Sequence, residues 1–284
     1  MIDLQMLIKN GVQWGHQTRF WNPKMARFIW GEKDGVHLID VSKTAFEIQR
    51  AGAFLEEVAA QGKQILWVGT KESAQEAVRK AGERTGSPTV THRWIGGTLT
   101  NFSQVKKSVT KLLHHEDVLD KIDKYNYTKK ECGIFQKVVN RLTDNVGGIR
   151  ELIWPIGAVV IVDVKKEAVA IKEAKAKGIP VVALVDTNCD PSGIDYVVPS
   201  NDDVARAVQV VVAELAEAAA RGVARADKKQ KKVIEQVPTE ETAMALQKLE
   251  AEEEVERKKG AARKLKKAAE EAAAAEAAEG KEIL

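Results

Sequence analysis

The run AVVIVDVKKEAVAIKEAKAKGIPVVALVD, residues 158–186, decides how this chain folds. Its two ends, 158–163 and 181–186, are nearly continuous apolar runs dominated by Val, Ile and Leu. A strand covered on both faces needs such a run, because neither face meets water. Between them, residues 167–177 read as an amphipathic helix, and Gly178 follows where a helix needs a residue that tolerates positive φ. Strand, helix and strand in that order predict neighbouring parallel strands with the helix laid across one face.

Working outward, residues 65–68 repeat the buried-strand composition, and residues 43–60, 73–84 and 202–220 read as further amphipathic helices. Ser42, Ser73 and Asn201 stand as helix caps, and Gly62 ends the helix that precedes 65–68. Repeated alternation from about residue 28 to residue 225 predicts an α/β fold, a doubly wound parallel sheet with helices on both faces. Residues 27–30 and 36–40, separated by 31–35, predict a hairpin that starts the sheet.

The alternation stops after Asn101. A charged stretch runs to about residue 145 with one interruption near 125–128. Val105, Val109, Leu112 and Leu119, and then Phe135, Val138, Leu142 and Val146, recur at helical spacing and predict two antiparallel helices packed along one stripe. A surface so charged does not suit the flanks of the sheet, so the reading is a projecting α-hairpin; the alternative is two ordinary flanking helices. The α/β unit is then 1–101 with 146–226, the hairpin 102–145, and the Lys/Glu/Ala-rich remainder, 227–284, a partly helical or disordered extension.

Composition narrows the function classes. The 44 Lys and Arg against 41 Asp and Glu leave only +3, so any case for a polyanion partner must be local. Cys132 and Cys189 are far apart and suggest neither a disulfide framework nor a structural zinc site. No signal peptide is evident, and no stretch approaches the roughly 20 apolar residues of a membrane span. The expectation is a cytoplasmic protein without a membrane partner.

Two stretches carry local charge. Residues 4–31 contain no acid, yet hold Lys9, His16, Arg19, Lys24 and Arg27 among Trp14, Phe20, Trp21, Phe28 and Trp30. Cations interleaved with flat rings suit RNA, since the cations neutralise phosphates and the rings stack on unpaired bases. Trp14, Phe28 and Trp30 are read as core anchors; Arg19, Lys24 and Arg27 are read as RNA contacts. Residues 85–115 are also free of acid and contain Arg93, Lys106, Lys107 and Lys111, with RWIGGTLTN at 93–101 in their midst. Its paired glycines allow close backbone approach, and Thr98, Thr100 and Asn101 offer neutral hydrogen bonds to phosphate or ribose. The same nonamer is also what a plain Gly-Gly turn before a helix requires.

Other clusters keep different chemistry open. Gly69-Thr70-Lys71, between a strand and a helix, could hold the phosphate of a small molecule, although the spacing of a P-loop is lacking. No hydrolytic elbow, zinc helix or Cys–His nucleophile pair marks an enzyme. Asp186, Asp190, Asp202 and Asp203 follow predicted strands, where open α/β sheets bind ligands, and with His16 they could hold a divalent ion. Asx-turns and a helix cap account for each of these residues singly.

Taken together, these motifs resemble the S-two family of small-subunit ribosomal proteins. The resemblance rests on Gly11-Val12 with Gly15-His16-Gln17-Thr18, Trp21-Asn22-Pro23-Lys24-Met25, Val68-Gly69-Thr70-Lys71, residues 93–101, Gly147-Gly148-Ile149, Asp186-Thr187-Asn188 with Asp190-Pro191, and Asn201-Asp202-Asp203. It spans about residues 3–222. It implies a flavodoxin-like, three-layer domain with a protruding coiled-coil hairpin, no catalysis, and binding to small-subunit rRNA between head and body. It further implies a place among neighbouring ribosomal proteins, supporting the docking of ribosomal protein S-one, without homo-oligomers. The positions that match the family's basic and polar motifs are Arg19, Trp21, Asn22, Lys24, Lys71, Arg93, Thr98 and Asn101; Arg27, Lys106 and Lys107 join them from the charge pattern. No cofactor is required, but some members hold a divalent ion, taken as zinc, and the matching residues are His16, Asp186, Asp190 and Asp203. Gln13 departs from a usual histidine, and Trp154-Pro155-Ile156-Gly157 departs from the family's usual strand entrance.

Overall fold

The computed structural model describes residues 2–121 and 127–226. The extension at 227–284, and Tyr125 and Asn126 of the interruption near 125–128, lie outside the described residues.

Five strands, β4 (Gln64–Val68), β5 (Thr89–Val90), β6 (Ile156–Val162), β7 (Val181–Val185) and β8 (Tyr196–Pro199), form a parallel sheet in the order β5-β4-β6-β7-β8. Numbered among themselves along the chain, this is the order 2-1-3-4-5 of flavodoxin-like sheets. The strands alternate strictly between two cores. Ile65, Trp67, Val160, Val182 and Leu184 face one buried cluster with Ile48 and Leu55 of α2 (Val41–Ala60), Val78 of α3 (Glu72–Thr85) and Val211 and Leu215 of α7 (Ala205–Arg225). Leu66, Val68, Val159, Ile161 and Ala183 face the other, with Val105 and Leu112 of α4 (Phe102–Asp120), Val139 of α5 (Lys129–Val146) and Ile171 of α6 (Ala168–Ala176). Continuous apolar runs are therefore obligatory in these strands, each large side chain contributing about 1.5–3 kcal/mol by leaving water. A Cβ on Gly222 would collide with the Glu56 carbonyl, so this glycine lets α2 and α7 cross closely.

Three expectations need correction. The hairpin strands β2 (Ile29–Lys33) and β3 (Val36–Ile39) do not start the main sheet; with β1 (Trp14–Gln17) they form a separate antiparallel sheet in the order β1-β3-β2. They are too exposed to enter a sheet buried on both faces, and Trp30, expected as a core anchor, is 75% exposed. Helix starts also shift. Asp40, not Ser42, caps α2 by accepting from the backbone of Ser42 and Lys43, and Asn201 holds a turn ahead of α7 by accepting from Asp203 N and Val204 N at 2.8 Å. Finally, α4 and α5 do pack together, yet they are not free-standing at their base. Val105, Val109, Leu112, Val139 and Val146 belong to the same core as the strands, and Arg150 grips Glu116 of α4 with two hydrogen bonds of 3.0 and 2.7 Å. Val139 replaces Val138 as the more deeply buried position of the stripe.

Candidate nucleic-acid interface

The acid-free arm is laid across the carboxyl ends of β7 and β8 by backbone chemistry. His16 N donates to Thr187 Oγ1 at 2.8 Å, Asn22 N donates to Thr187 O at 2.8 Å, and Asn201 Nδ2 donates to Trp14 O at 2.6 Å. Gly15 makes the docking close, since a Cβ there would stand 2.6 Å from Thr187 Cγ2. A short 3-10 turn, Pro23–Phe28, is opened by Asn22, whose side chain accepts from Lys24 N at 3.0 Å. Met25 and Phe28 then anchor the arm in the core that also holds Leu99 of the 93–101 loop.

With those anchors inward, the cations and remaining rings point out. Arg19 lies 4.5 Å over the Phe20 ring, which is 56% exposed; Arg27 lies 4.5 Å over Phe28. Trp21 is exposed and leans on His37 at 5.3 Å. Arg19 and Arg27 have no ion pair among the described residues. Lys24 does: its Nζ is 2.8 Å from both Asp190 Oδ2 and Ser192 Oγ, at the surface.

The strand ends beneath the arm are a different environment. Lys71 Nζ lies 2.7 Å from both Asp202 and Asp203 and 3.7 Å from Asp163, with only 22% of the side chain exposed. Burial pushes this ammonium toward neutrality, but the bonds to Asp202 and Asp203 outweigh it and raise its affinity for the proton. His16 spans Asp186, at 3.1 Å, and Asp203, at 3.3 Å; the Asp186 carboxylate raises its pKa against the effect of burial. Burial, with Asp186 nearby, pushes Asp202 up to about 6, and burial drives the Cys189 thiol to about 12. Lys71 is therefore an internal counter-ion, which corrects its reading as an RNA-facing residue.

That geometry also bears on the two ligand readings. The amide and hydroxyl of Thr70 both donate to buried Glu167, and a phosphate at residues 69–71 would face Asp163, Asp202 and Asp203. The local nest is filled from inside. For a cation, His16, Asp186 and Asp202 bring ligand atoms within 4.8 Å of one another, as do Asp163, Cys189 and Asp202. These donor types fit a divalent ion, but Asp190 is not among them, being turned to Lys24, and Lys71 already supplies positive charge to Asp202 and Asp203.

The 93–101 loop is built around one carboxylate. Glu173 of α6 accepts from Trp94 Nε1 at 3.0 Å and Gly97 N at 2.9 Å on one oxygen, and from Leu99 N at 3.0 Å, Thr100 N at 3.2 Å and Thr100 Oγ1 at 3.1 Å on the other. Burial alone would raise its pKa, but these donors hold it below the usual carboxylate range. Gly97 turns the chain at φ +93°, which a side chain would strain. Thr98 is 1% exposed and donates to Ile95 O at 2.6 Å, so its hydroxyl is spent inside the loop, which corrects its reading as an RNA-facing residue. Arg93, Asn101 and Lys107 are exposed and Lys106 is half-buried; Arg93 and Lys107 have no ion pair among the described residues. Sequence reasoning missed Glu173, Glu167 and Asp163, which look locally like ordinary surface acids.

Comparison with known proteins agrees with this architecture. The family described as Ribosomal protein S2 matches residues 7–222. A small ribosomal subunit protein uS2 from Solidesulfovibrio magneticus is 43% identical over 249 residues, 85% of this chain and 96% of the relative. Proteins of the same description from Micrococcus luteus and Thermobifida fusca are 44% and 45% identical over 224 residues, 78% of this chain and 79% and 77% of their own lengths.

Proposed function

This chain belongs to the ribosomal protein S2 family, and on that premise we propose that it is a non-enzymatic, structural constituent of the small ribosomal subunit, working in translation in the cytoplasm by gripping small-subunit rRNA. The observation that carries the rRNA contact is the pairing of Arg19, Arg27, Arg93 and Lys107, all without carboxylate partners among the described residues, with the exposed rings of Phe20 and Trp21. The Pro23–Phe28 turn of the arm and the 93–101 loop are held against one core, which Met25, Phe28 and Leu99 share. The cations would neutralise phosphates while Trp21, Phe20 and Asn22 meet bases or riboses. The α/β unit, 1–101 with 146–226, is the rRNA-binding part in this reading. The pair α4–α5, which fills the insertion at 102–145 and ends at Val146, forms a coiled-coil hairpin that adds a second contact and fixes orientation.

The resemblance extends the proposal to a site between head and body of the subunit, beside neighbouring ribosomal proteins, with support for ribosomal protein S-one and no self-association. No cofactor is needed for such a role. The test uses small-subunit particles lacking this protein. Rebinding of the full chain should weaken linearly in log salt, and Arg93→Ala should lower the slope by about one unit, as loss of one phosphate contact requires. Rebinding that ignores salt, or an Arg93→Ala slope equal to that of the natural chain, would refute the electrostatic grip.

A further inference from the structure

All five hydrogen bonds of the Glu173 side chain go to one loop, residues 94–100, although Glu173 itself sits on a helix of the body. Apart from these bonds, the loop is held by Leu99 in the core and by Trp94 and Ile95 packed against it, contacts that fix its side chains but satisfy none of its amides. Its internal backbone bonds are Thr98 N to Ile95 O at 3.1 Å and Asn101 N to Gly97 O at 2.7 Å. A glycine-rich segment with so few internal bonds loses much conformational entropy on ordering, and its buried amide at Leu99, with the part-buried amides of Gly97 and Thr100, needs an acceptor. We infer that Glu173 is the positioning residue of the RNA-binding loop: it gathers the donors of residues 94–100 onto an internal carboxylate and thereby sets Arg93, Gly96 and Asn101 outward for RNA.

Two physical consequences follow. The amides of Gly97, Leu99 and Thr100 converge as they would on a phosphate, but they are already engaged, so recognition falls to the outward atoms rather than to an amide nest. The carboxylate, for its part, lies close to a polyanion surface without repelling it strongly, since five donors disperse its charge. Gly96 is exposed with open space around it, which leaves the loop backbone approachable. The inference rests on the rRNA reading above.

Glu173→Gln tests it, because glutamine keeps size and helix propensity but turns an amide N–H toward donors. Trp94→Phe removes one donor while keeping an aromatic ring, and serves as a milder second variant. Amide hydrogen exchange of the free full-length chain, its melting temperature, and rebinding to particles lacking this protein are read for the natural chain, both variants, Arg93→Ala and Arg93→Ala/Glu173→Gln. Exchange at Gly97, Leu99 and Thr100 should quicken by roughly tenfold or more in Glu173→Gln, and affinity should fall roughly tenfold, as loss of a buried hydrogen-bonding centre implies. Trp94→Phe should move both in the same direction by less. Arg93→Ala should cost much less in the double variant than alone, since a misplaced loop no longer presents the arginine. Multiplicative effects of the two changes, or quickened exchange with undiminished affinity, would overturn the positioning role and leave the rRNA reading standing. Failure of the natural chain to rebind in a salt-dependent way would take down both.

Discussion

Lys71 and Arg93 follow neighbouring strands, β4 and β5, and both lie in glycine-containing basic motifs, yet the fold gives them opposite surroundings. Lys71 is enclosed by Asp163, Asp202 and Asp203 from the ends of β6 and β8, whereas Arg93 is exposed and meets no carboxylate among the described residues. The same positive charge is an internal counter-ion in one place and an exposed cation without a carboxylate partner among the described residues in the other. What separates them is the set of acids delivered from distant chain segments, so local charge alone does not identify a phosphate contact.

The largest effect that could break this contrast is on stability. Lys71→Met leaves Asp202, which is 2% exposed, without its cation and should lower unfolding free energy by about 2–4 kcal/mol in urea denaturation. Arg93→Ala should change it by less than about 0.5 kcal/mol. The salt slope of particle rebinding should show the reverse order, with Lys71→Met leaving it unchanged. Equal slope losses would place both lysine and arginine on the rRNA.

Next is pH. Asp202 is raised from 3.8 to about 6 by burial and its carboxylate neighbours, so between those values the folded chain binds a proton that the unfolded chain releases. Stability should therefore fall as pH rises through that window, and the raised pKa of His16 extends the loss upward beyond 6.5. Asp202→Asn should remove on the order of 2 kcal/mol of the fall between about pH 4 and 6, measured by denaturation at each pH. A variant with the natural pH profile would show that the strand-end cluster is not closed as described.

The smallest effect concerns Lys24, which stands between the two extremes. Its pair with Asp190 is exposed and worth roughly 0–1 kcal/mol, so an approaching phosphate can compete for the ammonium. Asp190→Asn should leave stability nearly unchanged and strengthen rebinding by roughly threefold, close to the limit set by such a pair. Weakened rebinding would mean that Asp190, not Lys24, faces a partner.

The fold was legible wherever burial imposed a pattern on consecutive residues. The runs at 65–68, 158–163 and 181–186 became β4, β6 and β7, while β5, two residues long, and β8, four, were too short to carry a period of their own. The separate antiparallel sheet was misplaced because a half-exposed hairpin looks the same locally whether or not it joins the main sheet. The acid-free stretches point to Arg19, Arg27, Arg93 and Lys107, which the fold leaves exposed and without ion pairs among the described residues, because absence of acid is itself a local property. Lys71, Thr98 and Asp190 were misread, and Glu173 was overlooked.

By itself, then, the amino-acid order determined the parallel α/β framework, the helical pair at 102–145 in outline and the two basic stretches, all of which depend on neighbours within a few residues. Tertiary structure alone decided which cations remain free. The Lys71 partner Asp202 is 131 residues away, the Lys24 partner Asp190 is 166 away, and the loop held by Glu173 is 73 to 79 away. Coulomb attraction and hydrogen bonding act over a few ångströms in space, and that proximity is set only once the sheet and its covering helices have assembled.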